Sequence, residues 1–229
     1  MQLNPPASAF NVRITLTPEM KTLKSLSVLA VAGMLSVSAH AQMDHTNMTS
    51  GEPAFFQASL WAPSPQLVPA TEDISGIRLQ VYGENRNVSG LDIGFGHSTT
   101  GDFVGFGGLF TLYNHVGGTT TGVQWGLVNY TEGEVVGWQS GWINVAYAKV
   151  KGIQSGLINF NAVETADLSG LQIGFINAAK HVHGVQLGFF NYAETIKGLQ
   201  IGLWNQVNSR DWDQFAPLPK VFPFINVGF

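Results

Sequence analysis

From residue 122 onward the chain alternates apolar residues with small or polar ones at a period of two, breaks off at a fixed place, and starts again. In GLQIGFIN (170–177), Leu171, Ile173 and Phe175 share one parity while Gln172 and Gly174 share the other. That period predicts a β-strand. Two glycines in eight residues would cost an exposed helix about 2 kcal/mol relative to alanine. The same phrase recurs as GVQWGLVN (122–129), GWQSGWIN (137–144), GIQSGLIN (152–159), GVQLGFFN (184–191) and GLQIGLWN (198–205), and the six starting glycines lie 15, 15, 18, 14 and 14 residues apart. GLDIGFGH (90–97) is a degenerate copy, with Asp92 for the glutamine and His97 for the asparagine, and FVGFGGLFTLYN, ending at Asn114, is another. A fixed period of this kind marks a repeat architecture. The segments between copies, such as AETIK (193–197) and NAVETADLS (161–169), hold nearly all the charge of the array, which predicts charged turns and charge-free strands. Two further strands are expected before the array, FFQASLW (55–61) and GIRLQVYG (76–83), joined by proline-rich APSPQLVPA, and a last one after it, VFPFINVGF (221–229).

The repeat-defining polar positions are Gln124, Asn129, Gln139, Asn144, Gln154, Asn159, Gln172, Asn177, Gln186, Asn191, Gln200 and Asn205. Two architectures accommodate them. In a closed antiparallel barrel each repeat is one strand and one turn; nine or so strand residues match the roughly 9–11 that a membrane strand needs, and the apolar parity faces lipid. In a solenoid each repeat is a full coil, the apolar parity faces a narrow core, and Gln and Asn stack in ladders along the axis. Val221, Ile225, Val227 and Phe229 alternate back from the last residue. Such a strand resembles the signal by which outer-membrane barrels are recognised for insertion. The expected fold is all-β, a repeat-built antiparallel β-barrel of outer-membrane type, with a β-solenoid of 14–18-residue coils as the alternative.

The start of the chain predicts export. Residues 20–41, MKTLKSLSVLAVAGMLSVSAHA, join a basic start at Lys21 and Lys24 to an apolar stretch and an A-x-A site, the plan of a signal peptide. Residues 1–19 are then an upstream extension, 42–53 a polar tether, and 54–229 a single repeat-built β domain. The 229 residues carry 11 Lys+Arg and 15 Asp+Glu, only 11% charged, and loss of the leader leaves 8 and 14. An acidic balance argues against a nucleic-acid partner. With no cysteine there is no disulfide, Cys-ligated zinc or thiol chemistry.

The phrase GLQIGLxN behind a signal peptide, with VYGENRNVSGLDIGF (81–95) at the start and LPKVFPFINVGF (218–229) at the end, resembles a bacterial surface-repeat family. The resemblance covers nearly all of the mature chain and implies export and an envelope location. No functional residue carries over from it. His97 in place of Asn, and Ser140 and Ser155 at an otherwise aliphatic position, depart from its pattern.

Candidate chemistry is sparse. His181 and His183 would share a face of an extended turn, a geometry able to take a transition metal, but no carboxylate lies in a matching frame. Glu132, Glu134, Asp211 and Asp213 have no calcium-loop spacing, and GFGGLF (105–110) lacks the helix a dinucleotide fingerprint needs. No metal, cofactor or catalytic residue is therefore expected, and an envelope hydrolase is the least supported class. The functional expectation is a small integral outer-membrane barrel with a structural or narrow transport role, whose partners are outer-membrane lipid and the barrel-insertion machinery. Its alternative is a secreted or surface-attached β-solenoid that binds a partner or glycan along one face.

Overall fold

The computed structural model describes residues 51–161, 167–209 and 221–228, all of them strand, turn or loop. The strands are β1 (Ala54–Ser59), β2 (Ile74–Asn85), β3 (Val88–Thr99), β4 (Phe103–Gly108), β5 (Tyr113–Val116), β6 (Thr120–Trp125), β7 (Val128–Thr131), β8 (Val135–Ser140), β9 (Ile143–Ala146), β10 (Val150–Asn161), β11 (Asp167–Ser209) and β12 (Val221–Gly228). Every repeat pairs in parallel with the repeats before and after it, glycine on glycine: Gly76 with Gly90, Gly90 with Gly105, Gly105 with Gly122, and so through Gly137 and Gly152 to Gly170. This is a β-solenoid and not a barrel. Neighbouring strands one repeat apart and parallel cannot be joined by hairpins, so the chain must travel round a coil to return. The second half of each repeat makes that return. It forms its own parallel column, Asn114–Asn129–Asn144–Asn159–Asn177, on β5, β7, β9, β10 and β11.

The starting glycine of each repeat, taken here as position 0, explains the stacking. Gly152 has φ +143°, a backbone that L side chains rarely adopt, and a Cβ there would fall 1.9 Å from the Gly137 carbonyl oxygen. The whole column from Gly76 to Gly198 shares that dihedral, which gives nine coils. Alanine in this column would have to move a neighbouring coil's backbone.

Which parity faces inward reverses the expectation for a solenoid. Position −2 is buried throughout, as Val135, Val150, Leu168, Val182 and Ile196, and packs against Ala146, Ala179, Ala193 and Val207 from the return strands. The glutamines at +2 and asparagines at +7 are also buried. The residues at +1, +3 and +5 point to solvent, so the apolar parity lies on the outside. The reason is continuity along the strand: −2, 0 and +2 share a face, and position −1 carries exposed Lys151, His183 and Lys197 on the same face as +1. A strand cannot keep a lysine in water at −1 and an isoleucine in the core at +1.

Two expected strands precede the array as β1 and β2, but GIRLQVYG is itself a coil in register with the rest. The 17-residue step from Gly105 to Gly122 contains a bulge at the corner, where Leu109 and Phe110 have φ of 62° and 71°. The C-terminal strand runs antiparallel to the last coil, Ile225 opposite Ile201 and Val227 opposite Leu199. Here Val221, Ile225 and Val227 belong to a strand that closes the end of a solenoid, while Phe229, like the expected leader at 20–41, lies outside the described residues.

Candidate functional site

Two amide ladders fill the inside of the array. Gln139 donates to Gln124 at 2.7 Å, Gln154 to Gln139 at 2.9 Å, Gln172 to Gln154 at 2.8 Å, and Gln186 and Gln200 continue it at 2.7 Å each. The asparagines run the other way: Asn114 donates to Asn129, Asn129 to Asn144, Asn144 to Asn159, Asn159 to Asn177, Asn177 to Asn191 and Asn191 to Asn205, at 2.7–2.8 Å. The two columns of dipoles therefore oppose each other. Each asparagine from Asn129 to Asn191 also gives a hydrogen to a carbonyl of the next coil, as Asn144 does to Ser155 at 2.9 Å. An aliphatic side chain at this position could make neither bond. β12 ends both ladders in kind. Asn226 supplies the donor that Gln200 Oε1 lacks (3.1 Å), and the Phe222 carbonyl accepts from Asn205 (3.2 Å).

The repeat-defining Gln and Asn side chains are thus brought together, but as interior structure. None of them offers a binding face.

The outer surface is where the molecule is unusual. Ile153, Leu157, Ile173, Phe175, Phe189, Phe190, Ile201, Leu203, Trp125, Trp138, Trp142 and Trp204 are all exposed, Trp142 at 62%. They occupy positions +1 to +6, covering the first strand of each coil, its corner and the start of the return strand. Phe175 stacks on Phe189 with ring centroids 5.0 Å apart, and Phe190 meets both edge-on. Ser140 and Ser155 interrupt the apolar column. Ser155 takes a hydrogen bond from Trp138 Nε1 at 2.8 Å. The described charges sit elsewhere. Asp102, Glu132, Glu134, Lys149, Lys151, Asp167, Lys180, Glu194 and Lys197 all fall between +10 and −1, on the turn edge. Several are paired there, as Lys151 with Glu134 at 3.0 Å and His115 with Glu132 at 3.2 Å. Beside that edge Tyr113, His115, Tyr130 and Tyr147 form a line of ring contacts, and burial pushes the Tyr113 hydroxyl up to about 12. His181 Nδ1 meets Thr195 Oγ1 at 2.7 Å, and among the described residues no group of three or more His, Asp or Glu could hold a metal.

Before Gly122 the ladder is replaced by charge. Position +2 holds Arg78, then Asp92, then Gly107 in successive coils. Arg78 grips both carboxylate oxygens of Asp92 through Nε and Nη2, and its Nη1 donates to the Ser98 carbonyl at 2.9 Å. Gln80 donates to Asp92 Oδ1 at 2.9 Å. His97 Nδ1 lies 2.6 Å from Asp92 Oδ2, though off the line of a good hydrogen bond, and its Nε2 lies 3.0 Å from the Gly94 carbonyl and 3.2 Å from Thr111 Oγ1. Burial pushes the Asp92 carboxyl up, but Arg78 and His97 outweigh it and hold it below its ordinary value. Asp92, His97 and Thr111 line up as carboxylate, imidazole and hydroxyl. All three are buried, and beside them lies a gap of about 10 Å³, lined in part by Gly107, with room for roughly one water molecule. The cluster ties the first coils together through Arg78 and Asp92.

Arg78 was not legible as part of this group while its coil went unrecognised, yet the 14-residue step from Gly76 to Gly90 puts it directly against Asp92. The outward apolar face also had a local signal, the shared parity of Lys197 with Leu199 and of Lys151 with Ile153.

No family model, no curated protein and no solved structure matches the chain.

Proposed function

We propose that the protein is an exported β-solenoid that works as a binding scaffold, with the exposed apolar ridge at +1 to +6 as its contact surface. One observation carries the reading: an uncharged, largely aliphatic and aromatic surface repeats over coil after coil while most of the described charges gather on the turn edge. Outward contacts such as Phe175 on Phe189 help tie coil to coil, but polar cross-strand pairs could do the same without leaving so much apolar surface in water. Contiguous exposed apolar surface of this extent marks an interaction site. Export is supported by the signal-peptide pattern at 20–41 and by the absence of cysteine, in line with the surface-repeat resemblance.

The ridge favours an apolar partner over a glycan. Aliphatic side chains such as Ile153, Ile173, Ile201 and Leu203 stand among its aromatic rings, and the amides a sugar would need are engaged inside the ladders. The test is titration of the mature chain with an environment-sensitive apolar dye. The chain should bind it, and the double variant Trp142→Glu, Phe175→Glu should lose at least ten-fold in dye affinity while keeping its β-type circular dichroism and melting temperature. Unchanged dye binding in that folded variant would remove the ridge as the contact surface.

A further inference from the structure

The ridge has a shape as well as a composition, and the shape selects its occupant. Positions +1 and +3 lie on one flank, +5 at the corner, and +6 on the opposite flank, so the apolar surface wraps a convex edge. A second copy of the chain, or any flat protein face, would cover one flank and leave the other in water. A fluid acyl-chain layer closes around both. The extent fits as well. At about 4.8 Å per coil the nine coils give a ridge roughly 40 Å long, and at about 3.3 Å per residue +3 lies about 7 Å and +1 about 13 Å from the corner residue at +5. An amphipathic element lying in a membrane interface buries its apolar face to about 5–10 Å.

The terminal strands extend the same surface although neither copies the repeat. Phe56 of β1 pairs with Ile77 in the +1 column, and Ile225 of β12 pairs with Ile201 in the +3 column. Both are exposed, and Phe224 next to Ile225 is exposed at 68%. The apolar face therefore runs from one end strand to the other. Charge completes the picture. Among the described residues the turn edge carries acids and bases together, paired as Lys180 with Glu194 and Lys149 with Asp167, both at 3.6 Å, so the charges there largely cancel.

From these observations we infer that the ridge seats in the acyl-chain region of a lipid leaflet, with the solenoid axis along the membrane plane and the charged turns in water. This rests on the reading of the ridge as the contact surface and names its partner. The attachment is hydrophobic and does not depend on headgroup charge.

The experiment uses the mature chain with vesicles of zwitterionic phosphatidylcholine, unlabelled or brominated on the acyl chains. Trp125, Trp138, Trp142 and Trp204 lie on the ridge as built-in reporters. Brominated vesicles should quench tryptophan emission at least two-fold, the chain should float with the vesicles, and 1 M NaCl should change neither result. The folded Trp142→Glu, Phe175→Glu variant should partition at least ten-fold more weakly, whereas Glu132→Gln on the turn edge should behave as the unaltered chain. Absence of both quenching and flotation overturns the lipid assignment. If the chain then binds the dye and doubles its sedimenting mass with concentration, the occupant is a second copy and the ridge reading survives. If it stays monomeric and binds no dye, the ridge reading falls too.

Discussion

The coils from Gly122 to Asn205 and those from Gly76 to Asn114 share one backbone register and fill it with opposite chemistry. In the first region each inward amide within the ladders, from Gln139 to Gln186 and from Asn129 to Asn191, meets its own kind on both sides, donating to one neighbour and accepting from the other. A carboxamide can do this without limit because it carries donor and acceptor together. In the second region the same position holds Arg78 and Asp92, which cannot stack on copies of themselves and so occur once, as a pair across adjacent coils. Amide ladders extend an array. A buried ion pair marks one place along it, closed off by Gly107 and its gap before the first glutamine.

The contrast is broken most severely at Asp92. Asp92→Ala leaves a buried guanidinium with no counter-charge, and urea unfolding should show a loss of about 3–5 kcal/mol. The pair Arg78→Gln, Asp92→Gln should recover more than half of that loss, because two amides reproduce the ladder contact; recovery of nothing would mean that charge itself is required there. Gln154→Leu comes next. It leaves Gln139 Oε1 without its donor and Gln172 Nε2 without its acceptor, a cost of about 2–4 kcal/mol in the same assay.

Acid should separate the two regions without any substitution. The Asp92 carboxyl is held below its ordinary value of 3.8 in the folded chain, so its stabilisation is present above that pH and is lost as pH falls through the lower folded value. Asp73 is lowered too, chiefly by its hydrogen bonds from Arg86. Amides do not titrate. Hydrogen exchange measured below pH 4 should therefore rise first in 74–99, with 152–159 and 170–205 still protected; uniform loss would contradict the contrast. The smallest effect is expected from removing residues 170–183. Gly184 would then stack on Gly152 and Gln186 on Gln154, and circular dichroism should report a folded, shorter array, as nearest-neighbour stacking predicts.

Much of this was readable along the chain. The strands, the repeat boundaries, the charged turns and the amide stacking each follow from period two, fixed spacing and the position of Lys and Glu. The antiparallel barrel did not survive, because period and strand length suit a hairpin and a coil equally, and the evidence that separates them is a partner one coil away. The inward parity was misassigned for a different reason. Leu199 was weighed within its own eight-residue phrase, whereas Lys197, two residues earlier and on the same face, decides its side. Arg78 escaped because its coil replaces both the glutamine and the asparagine of the phrase.

The sequence by itself determined that this chain is a stack of charge-free strands separated by charged turns, since alternation and turn chemistry are local properties of adjacent residues. The tertiary structure alone decided which of two faces meets water and which residues meet across coils. Parallel register brings residues 14–18 positions apart into contact, and only then do the amides, satisfied by each other, become the inside, and the isoleucines, leucines and tryptophans the surface left for something else to cover.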